Sequence, residues 1–172
     1  MSPEPQLVMI CIAAIAAIMD WRTGDIPNWL TLPVILGAPL VYFALFGQHA
    51  LVVSLIGLFA CGLVPYLLFR NDAIGGGDVK LFAALGAVGG LQLGLEAELL
   101  GLSAAAIMAL VMMAWRGALR RTLANVFRVA TNPIVPKRMR AQVTPDMMTS
   151  MRLGLPVLVG TVAAVLAAGF RW

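Results

Sequence analysis

A short glycine-rich segment between two apolar runs contains the residue with the most evident chemistry. Residues 74–81 have the sequence Ile-Gly-Gly-Gly-Asp-Val-Lys-Leu, with Asp78 after the glycines. A carboxylate is costly at the edge of a bilayer, and consecutive glycines stabilise nothing there. A second carboxylate, Asp20, ends the first apolar run, in Asp-Trp-Arg-Thr-Gly-Asp-Ile-Pro-Asn at residues 20–28. Two aspartates at the ends of apolar segments indicate acid/base chemistry by a carboxylate pair.

Such a pair has a defined reactivity. Two carboxylates in a partly dry site cannot both ionise easily, so they share a proton. In an aspartic protease one carboxylate takes a proton from water while the other donates one to the scissile carbonyl. The alternative is that these are ordinary interfacial charges, which is the interpretation favoured for Asp25 and Asp72. The glycine triplet would then be only a loop.

Other kinds of catalytic site find little support in the sequence. No serine, cysteine or histidine is spaced for a nucleophilic triad, and no zinc-binding pattern is present. Cys11 and Cys61 both lie in apolar runs, which is typical of small packing residues. His49 is the single histidine and is expected in a solvated loop. We therefore expect neither a metal nor a cofactor.

Composition places the aspartates in a membrane protein. Of 172 residues, 61% are hydrophobic and 12% are charged, with a mean hydropathy of +0.93. About half apolar is typical of soluble domains, so the bilayer is the expected solvent. The net charge of +4 is better explained by cationic cytoplasmic loops than by nucleic-acid binding. The whole chain, 1–172, is predicted to be one transmembrane domain.

Six apolar segments predict an all-α integral membrane protein with about six spanning helices. They cover approximately residues 7–19, 29–46, 50–69, 78–95, 98–115 and 153–170. All but Arg171 of the 12 basic residues fall on one side of these segments. The positive-inside rule makes that side cytoplasmic, with both termini, Glu96 and Glu98 on the other side. The N-terminus lacks the basic region of a cleaved signal peptide.

The connection at residues 116–152 is predicted to be cytoplasmic and to contain a basic amphipathic helix on anionic lipids. Its apolar positions repeat at helical spacing, and its arginines fall off that face (Leu119, Leu123, Val126, Phe127 and Ala130 against Arg120, Arg121 and Arg128). A docking surface for the polar part of a substrate is the alternative.

Neighbouring residues are candidates for shaping the site. Pro27 predicts a fixed turn, with Asn28 as the cap of the next helix. Gly75 and Gly77 would permit positive φ and let a peptide approach Asp78 closely. Lys80 is either a counter-charge that orients the substrate or a lysine that snorkels to the interface.

The two motifs together resemble those of type IV prepilin peptidases. Residues 75–80, Gly-Gly-Gly-Asp-Val-Lys, match the family's Gly-x-Gly-Asp-x-Lys signature. Asp20, five intervening residues and Ile26-Pro27-Asn28 match its first motif, and Leu30-Thr31-Leu32-Pro33 also fits. The small size is most similar to the short branch that serves the Tad/Flp pilus.

The resemblance implies a di-aspartyl intramembrane protease of the bacterial inner membrane. It would cut leaders from prepilins at the cytoplasmic face for pilus assembly, with Asp20 and Asp78 as the catalytic pair. The substrate would be the prepilin's leader peptide and hydrophobic N-terminal helix, and the oligomeric state stays open. The paired Cys-x-x-Cys motifs found beside the family's N-methylating activity are missing here, so we expect no methyl transfer.

Two other functions remain open. A small transporter or channel would carry protons or cations on its carboxylates, but it would need them near the bilayer midplane. A catalytically silent pilus-assembly subunit would keep the fold for partner contact alone.

Overall fold

Helices make up nearly all of the described chain. The computed structural model describes residues 4–71, 74–115 and 153–169. Five helices occupy these ranges, and no strand occurs within them: α1 Glu4–Thr23, α2 Asn28–Phe46, α3 Gln48–Arg70, α4 Gly76–Trp115 and α5 Gly154–Gly169. The all-α class predicted from the sequence is therefore confirmed.

Helix α4 consists of two helical segments that meet at Gly90. This residue has φ 70° and ψ −173°, which lies outside the helical region and favours glycine. The chain folds back there. This is shown by the close approach of Gly94 to Gly86, since a Cβ on Gly94 would lie 2.9 Å from the Cα of Gly86. The predicted fourth and fifth segments are thus two helices, but they meet at Gly90 and not between residues 95 and 98.

Side chains from α2 and α3 bind backbone carbonyls of α4 just before the break at Gly90. Tyr42 donates its hydroxyl to the carbonyl of Val88 at 2.6 Å, and Ser54 donates to Ala87 at 2.7 Å. Buried helix ends require such partners. These contacts fix the α4 turn against the two preceding helices.

The core lies among α1, α4 and α5. Its largest fully buried side chains include Met9, Leu81, Phe82, Leu85 and Val157. Helix α1 packs against α5, and α2 packs against α3.

Large apolar side chains cover the outside of the helices, as expected for contact with lipid. Leu36, Phe59 and Leu99 are each more than 60% exposed. Four of the described helices are long and apolar enough to cross a membrane, namely Glu4–Thr23, Asn28–Phe46, Gln48–Arg70 and Gly76–Met112. Helix α5 is a shorter apolar helix. An integral membrane protein accounts for this surface.

The chain divides into two units. The first comprises Met1–Ala105 with Arg152–Trp172, and the second comprises Ala106–Met151. All of the site residues described below belong to the first unit. Of the second, the structure describes the helical residues 106–115. The predicted amphipathic helix and the rest of the 116–152 connection lie outside the described residues, as does Asp72.

Candidate active site

Two carboxylates that are distant in sequence lie together in the protein interior. Asp20 is 6% exposed near the end of α1, and Asp78 is 8% exposed in the first turn of α4. Their charges are close enough to interact. Burial of an ionisable side chain is costly, so two neighbouring buried carboxylates make this region the candidate functional site. The structure thus brings together the two aspartates singled out in the sequence.

The end of α1 positions Asp20. Gly24 has φ 78° and donates its N–H to the carbonyl of Asp20 at 2.9 Å, which closes the helix with a left-handed cap. The Asp20 side chain turns inward, where Oδ2 accepts the N–H of Gly154 at 2.8 Å. That donor is the first residue of α5, 134 positions along the chain.

The start of α4 holds Asp78. Gly75 precedes the helix and donates its N–H to Oδ2 of Asp78 at 3.1 Å. The Asp78 N–H in turn bonds to the Gly75 carbonyl at 3.2 Å. An acidic third residue that accepts the N–H just before a helix is half of a capping box. Asp78 therefore has both a structural role at the helix start and a side chain available to the site.

The loop between α1 and α2 packs directly on the glycine segment. A Cβ on Gly77 would lie 3.1 Å from the Cβ of Ile26 and 3.4 Å from its backbone nitrogen and oxygen. Lys80 donates from Nζ to Oδ1 of Asn28 at 2.7 Å. The two aspartate motifs are thus joined by one packing contact and one hydrogen bond.

These contacts correct two expectations. Asn28 does not cap α2, since the residue before the helix is Pro27 and no side-chain cap bond forms there. The Asn28 amide oxygen instead accepts a hydrogen bond from Lys80. The sequence suggested that Lys80 is a counter-charge or a snorkelling lysine, and neither interpretation included this bond. The positive-φ glycines of the described chain are Gly24, Gly47 and Gly90, so the glycine segment does not use positive φ. At position 77 the close approach of Ile26 favours glycine, because an added Cβ would lie 3.1 Å from the Cβ of Ile26.

The other polar and sulfur-containing residues considered in the sequence differ from the pair in exposure and contacts. Asp25 is exposed, and its backbone N–H bonds to the hydroxyl of Thr23 at 3.4 Å. His49 is exposed in the first turn of α3. Cys61 is buried as expected, whereas Cys11 is exposed. Within residues 4–71, 74–115 and 153–169, no three His, Cys, Asp or Glu side chains group together.

Glu98 is a further buried carboxyl, and the sequence analysis did not single it out as a site candidate. Its side chain is only 2% exposed. Among the described residues its Oε2 has no hydrogen-bond partner. The sequence analysis expects it on the outer side of the membrane, and the structure shows it buried among the helices, after the turn at Gly90. The available signal was a pair of glutamates, Glu96 and Glu98, between two apolar segments.

Fold and site together define an α-helical membrane protein with a buried carboxylate pair, an arrangement suited to acid/base chemistry. Residues 7–114 match the model of the type IV leader peptidase family. The chain therefore belongs to that family. The matched region includes both aspartates and ends before α5.

A curated relative is similar over part of its length. The prepilin leader peptidase/N-methyltransferase of Vibrio cholerae serotype O1 is 33% identical over 84 residues, which covers 44% of this chain and 32% of the relative. This chain therefore matches about a third of that protein's length. No solved structure matches the chain significantly.

Proposed function

We propose that the protein is an intramembrane aspartic endopeptidase that removes leader peptides from type IV prepilins of the Flp/Tad class. The observation that supports this most directly is the pair of buried, interacting carboxylates, Asp20 and Asp78, at helix ends. Family membership supplies the reaction class. The positive-inside rule, applied to the loop charges, favours a site at the cytoplasmic face of the bacterial inner membrane, with both termini outside.

In the proposed reaction the two aspartates share one proton. The ionised carboxylate accepts a proton from water as the water oxygen bonds to the scissile carbonyl carbon. The protonated carboxyl donates its proton to the carbonyl oxygen. When the tetrahedral species collapses, a proton moves to the amide nitrogen and the carbon–nitrogen bond breaks. No cofactor or metal enters these steps.

The surrounding residues would position the reacting groups. Gly75 donates to the Asp78 carboxylate, while Gly77, Asn28 and Lys80 join the first loop to the start of α4. Pro27 precedes α2 in an extended conformation. A prepilin's hydrophobic helix would lie against the membrane-facing helices, with its leader at the carboxylate pair. The basic connection at 116–152 would bind anionic lipid headgroups.

The decisive experiment is coexpression with a Flp-type prepilin, followed by immunoblotting for leader removal. Wild type should convert the prepilin to the shorter form, and the Asp20→Asn, Asp78→Asn double variant should not. A transporter or a silent assembly subunit would leave the prepilin uncut. Mass spectrometry of the mature N-terminus should find it unmethylated, and a methylated product would refute our assignment of peptidase activity alone.

A further inference from the structure

The start of α5 lies so close to Asp20 that residue 154 has no room for a side chain. A Cβ on Gly154 would lie 2.8 Å from the Cβ of Asp20, 2.9 Å from its Oδ2 and 2.9 Å from the Cα of Ala17. Carbon atoms do not approach this closely, and the Ala17 atom belongs to the backbone. Helix α5 can therefore keep this position only with glycine at 154.

The close approach has an electrostatic consequence. The first N–H groups of a helix lack partners within the helix, and the helix dipole makes this end favourable for negative charge. Here the first N–H of α5 is satisfied by the Asp20 carboxylate, in a buried hydrogen bond of 2.8 Å. Hydrogen bonds to ionised groups are stronger than neutral ones, more so away from water.

The packing of α5 against its neighbours keeps the Gly154 N–H next to the Asp20 carboxylate. Val157 is 1% exposed, one turn after Gly154, and its N–H bonds to the Leu153 carbonyl at 3.0 Å. Gly101 lies beside it, since a Cβ there would be 3.3 Å from the Cα of Val157. Helix α5 is thus fixed between α1 and α4, with its first N–H directed at Asp20.

We infer that Gly154 is a positioning residue of the active site, and that α5, which lies outside the family-matched region, completes the catalytic pair. Its backbone N–H fixes the orientation of the Asp20 carboxylate relative to Asp78. The expected effect of Gly154 on turnover rests on the proposed function. The hydrogen bond itself can be tested without any substrate.

The sharpest perturbation removes the N–H and leaves the shape unchanged. Cell-free synthesis with glycolic acid in place of Gly154 replaces that one amide by an ester, and the product is inserted into nanodiscs. A matched ester at Leu155, the next residue of the same turn, is the control. Gly154→Ala is the steric counterpart, with Gly169→Ala as its control because nothing lies within 4 Å of that position.

Kinetics should separate positioning from a general loss of structure. We expect the Gly154 ester to lower kcat for prepilin cleavage by about 10- to 100-fold, as loss of orienting partners does at other sites, with KM nearly unchanged. The Leu155 ester and Gly169→Ala should stay within about twofold of wild type. A Gly154 ester with the kcat of its Leu155 control would overturn the inference.

Infrared spectroscopy gives a readout that is independent of peptidase activity. The band of the Asp20 carboxyl group is isolated as the difference between each protein and its Asp20→Asn counterpart. The frequency of this band should shift in the Gly154 ester and should be unchanged in the Leu155 ester. An unmoved band in both would also refute the inference. If wild type fails to cleave prepilin, the proposed function falls, and this spectrum still decides the role of Gly154.

Discussion

Replacing Gly77 by valine tests whether the contact between the two aspartate motifs matters for activity. The first added carbon would lie 3.1 Å from the Cβ of Ile26, which is tighter than ordinary van der Waals contact, and two methyl groups would follow. Overpacking of this kind typically costs about 1–3 kcal/mol. The simplest relief is for the loop at Ile26 to move away from the start of α4.

That movement would strain the Lys80–Asn28 hydrogen bond and shift Asp20 relative to Asp78. If the whole free-energy cost of overpacking destabilises the assembled active site, activity decreases about 5- to 150-fold, since about 1.4 kcal/mol corresponds to a factor of ten. Gly76→Ala is the matched control. Its Cβ would lie 3.4 Å from the ring of Phe69, an ordinary contact with a side chain that can adjust.

The assay is leader cleavage in proteoliposomes at equal amounts of folded protein. We expect Gly76→Ala to retain near-normal rates, Gly77→Ala to lose some activity and Gly77→Val to lose most of it. Near-normal cleavage by both Gly77→Val and Gly76→Ala would mean that the glycines only connect α3 to α4. The assembly of the carboxylate pair would then depend on other contacts.

The remaining predictions concern the carboxylates, the hydrogen bond between the motifs and the cysteines. Asp20→Asn and Asp78→Asn should each lower cleavage by about 10²- to 10⁴-fold, because the near-isosteric amide cannot exchange the proton; Asp25→Asn should stay active, and loss of cleavage there would point to a different pair. In a double-mutant cycle of Asn28→Ala and Lys80→Ala, stability should show a coupling of about 0.5–1.5 kcal/mol, typical of one hydrogen bond; strictly additive effects would show that the bond contributes nothing. The doubly cysteine-free variant should cleave normally, and EDTA should not inhibit; inhibition by the chelator would reveal a metal-dependent step.

The sequence was sufficient to indicate which two side chains belong together, although not how they are held. Asp20 and Asp78 stand out because each interrupts an apolar pattern, and hydropathy is a local property that a window of residues reports directly. The prediction that both sit at helix ends is confirmed by α1 and α4. Their catalytic roles stay a proposal until the variants are assayed.

Contacts of the glycine segment were only partly predictable. The motif called for glycine at 75 and 77, and the structure shows a close neighbour at each position. A Cβ on Gly75 would lie 3.1 Å from Oδ2 of Asp78, and a Cβ on Gly77 would lie 3.1 Å from the Cβ of Ile26. The sequence alone suggested positive φ and room for a substrate peptide beside Asp78 as the reasons. Which use applies depends on the neighbouring chain, and local sequence does not specify that neighbour.

Hydropathy and residue spacing, which are properties of the sequence by itself, determined the membrane class, the helical segments and the identity of the carboxylate pair. Tertiary structure alone decided that the chain turns at Gly90, that Glu98 returns to the interior and that Gly154 binds Asp20. The physical reason is the distance along the sequence between the residues that interact. Helix formation and lipid exposure follow from neighbours within a few turns, whereas the Gly154 hydrogen bond joins residues 134 positions apart through a backbone group that every residue except proline possesses. Only the packing of α5 between α1 and α4 selects which N–H group reaches the carboxylate.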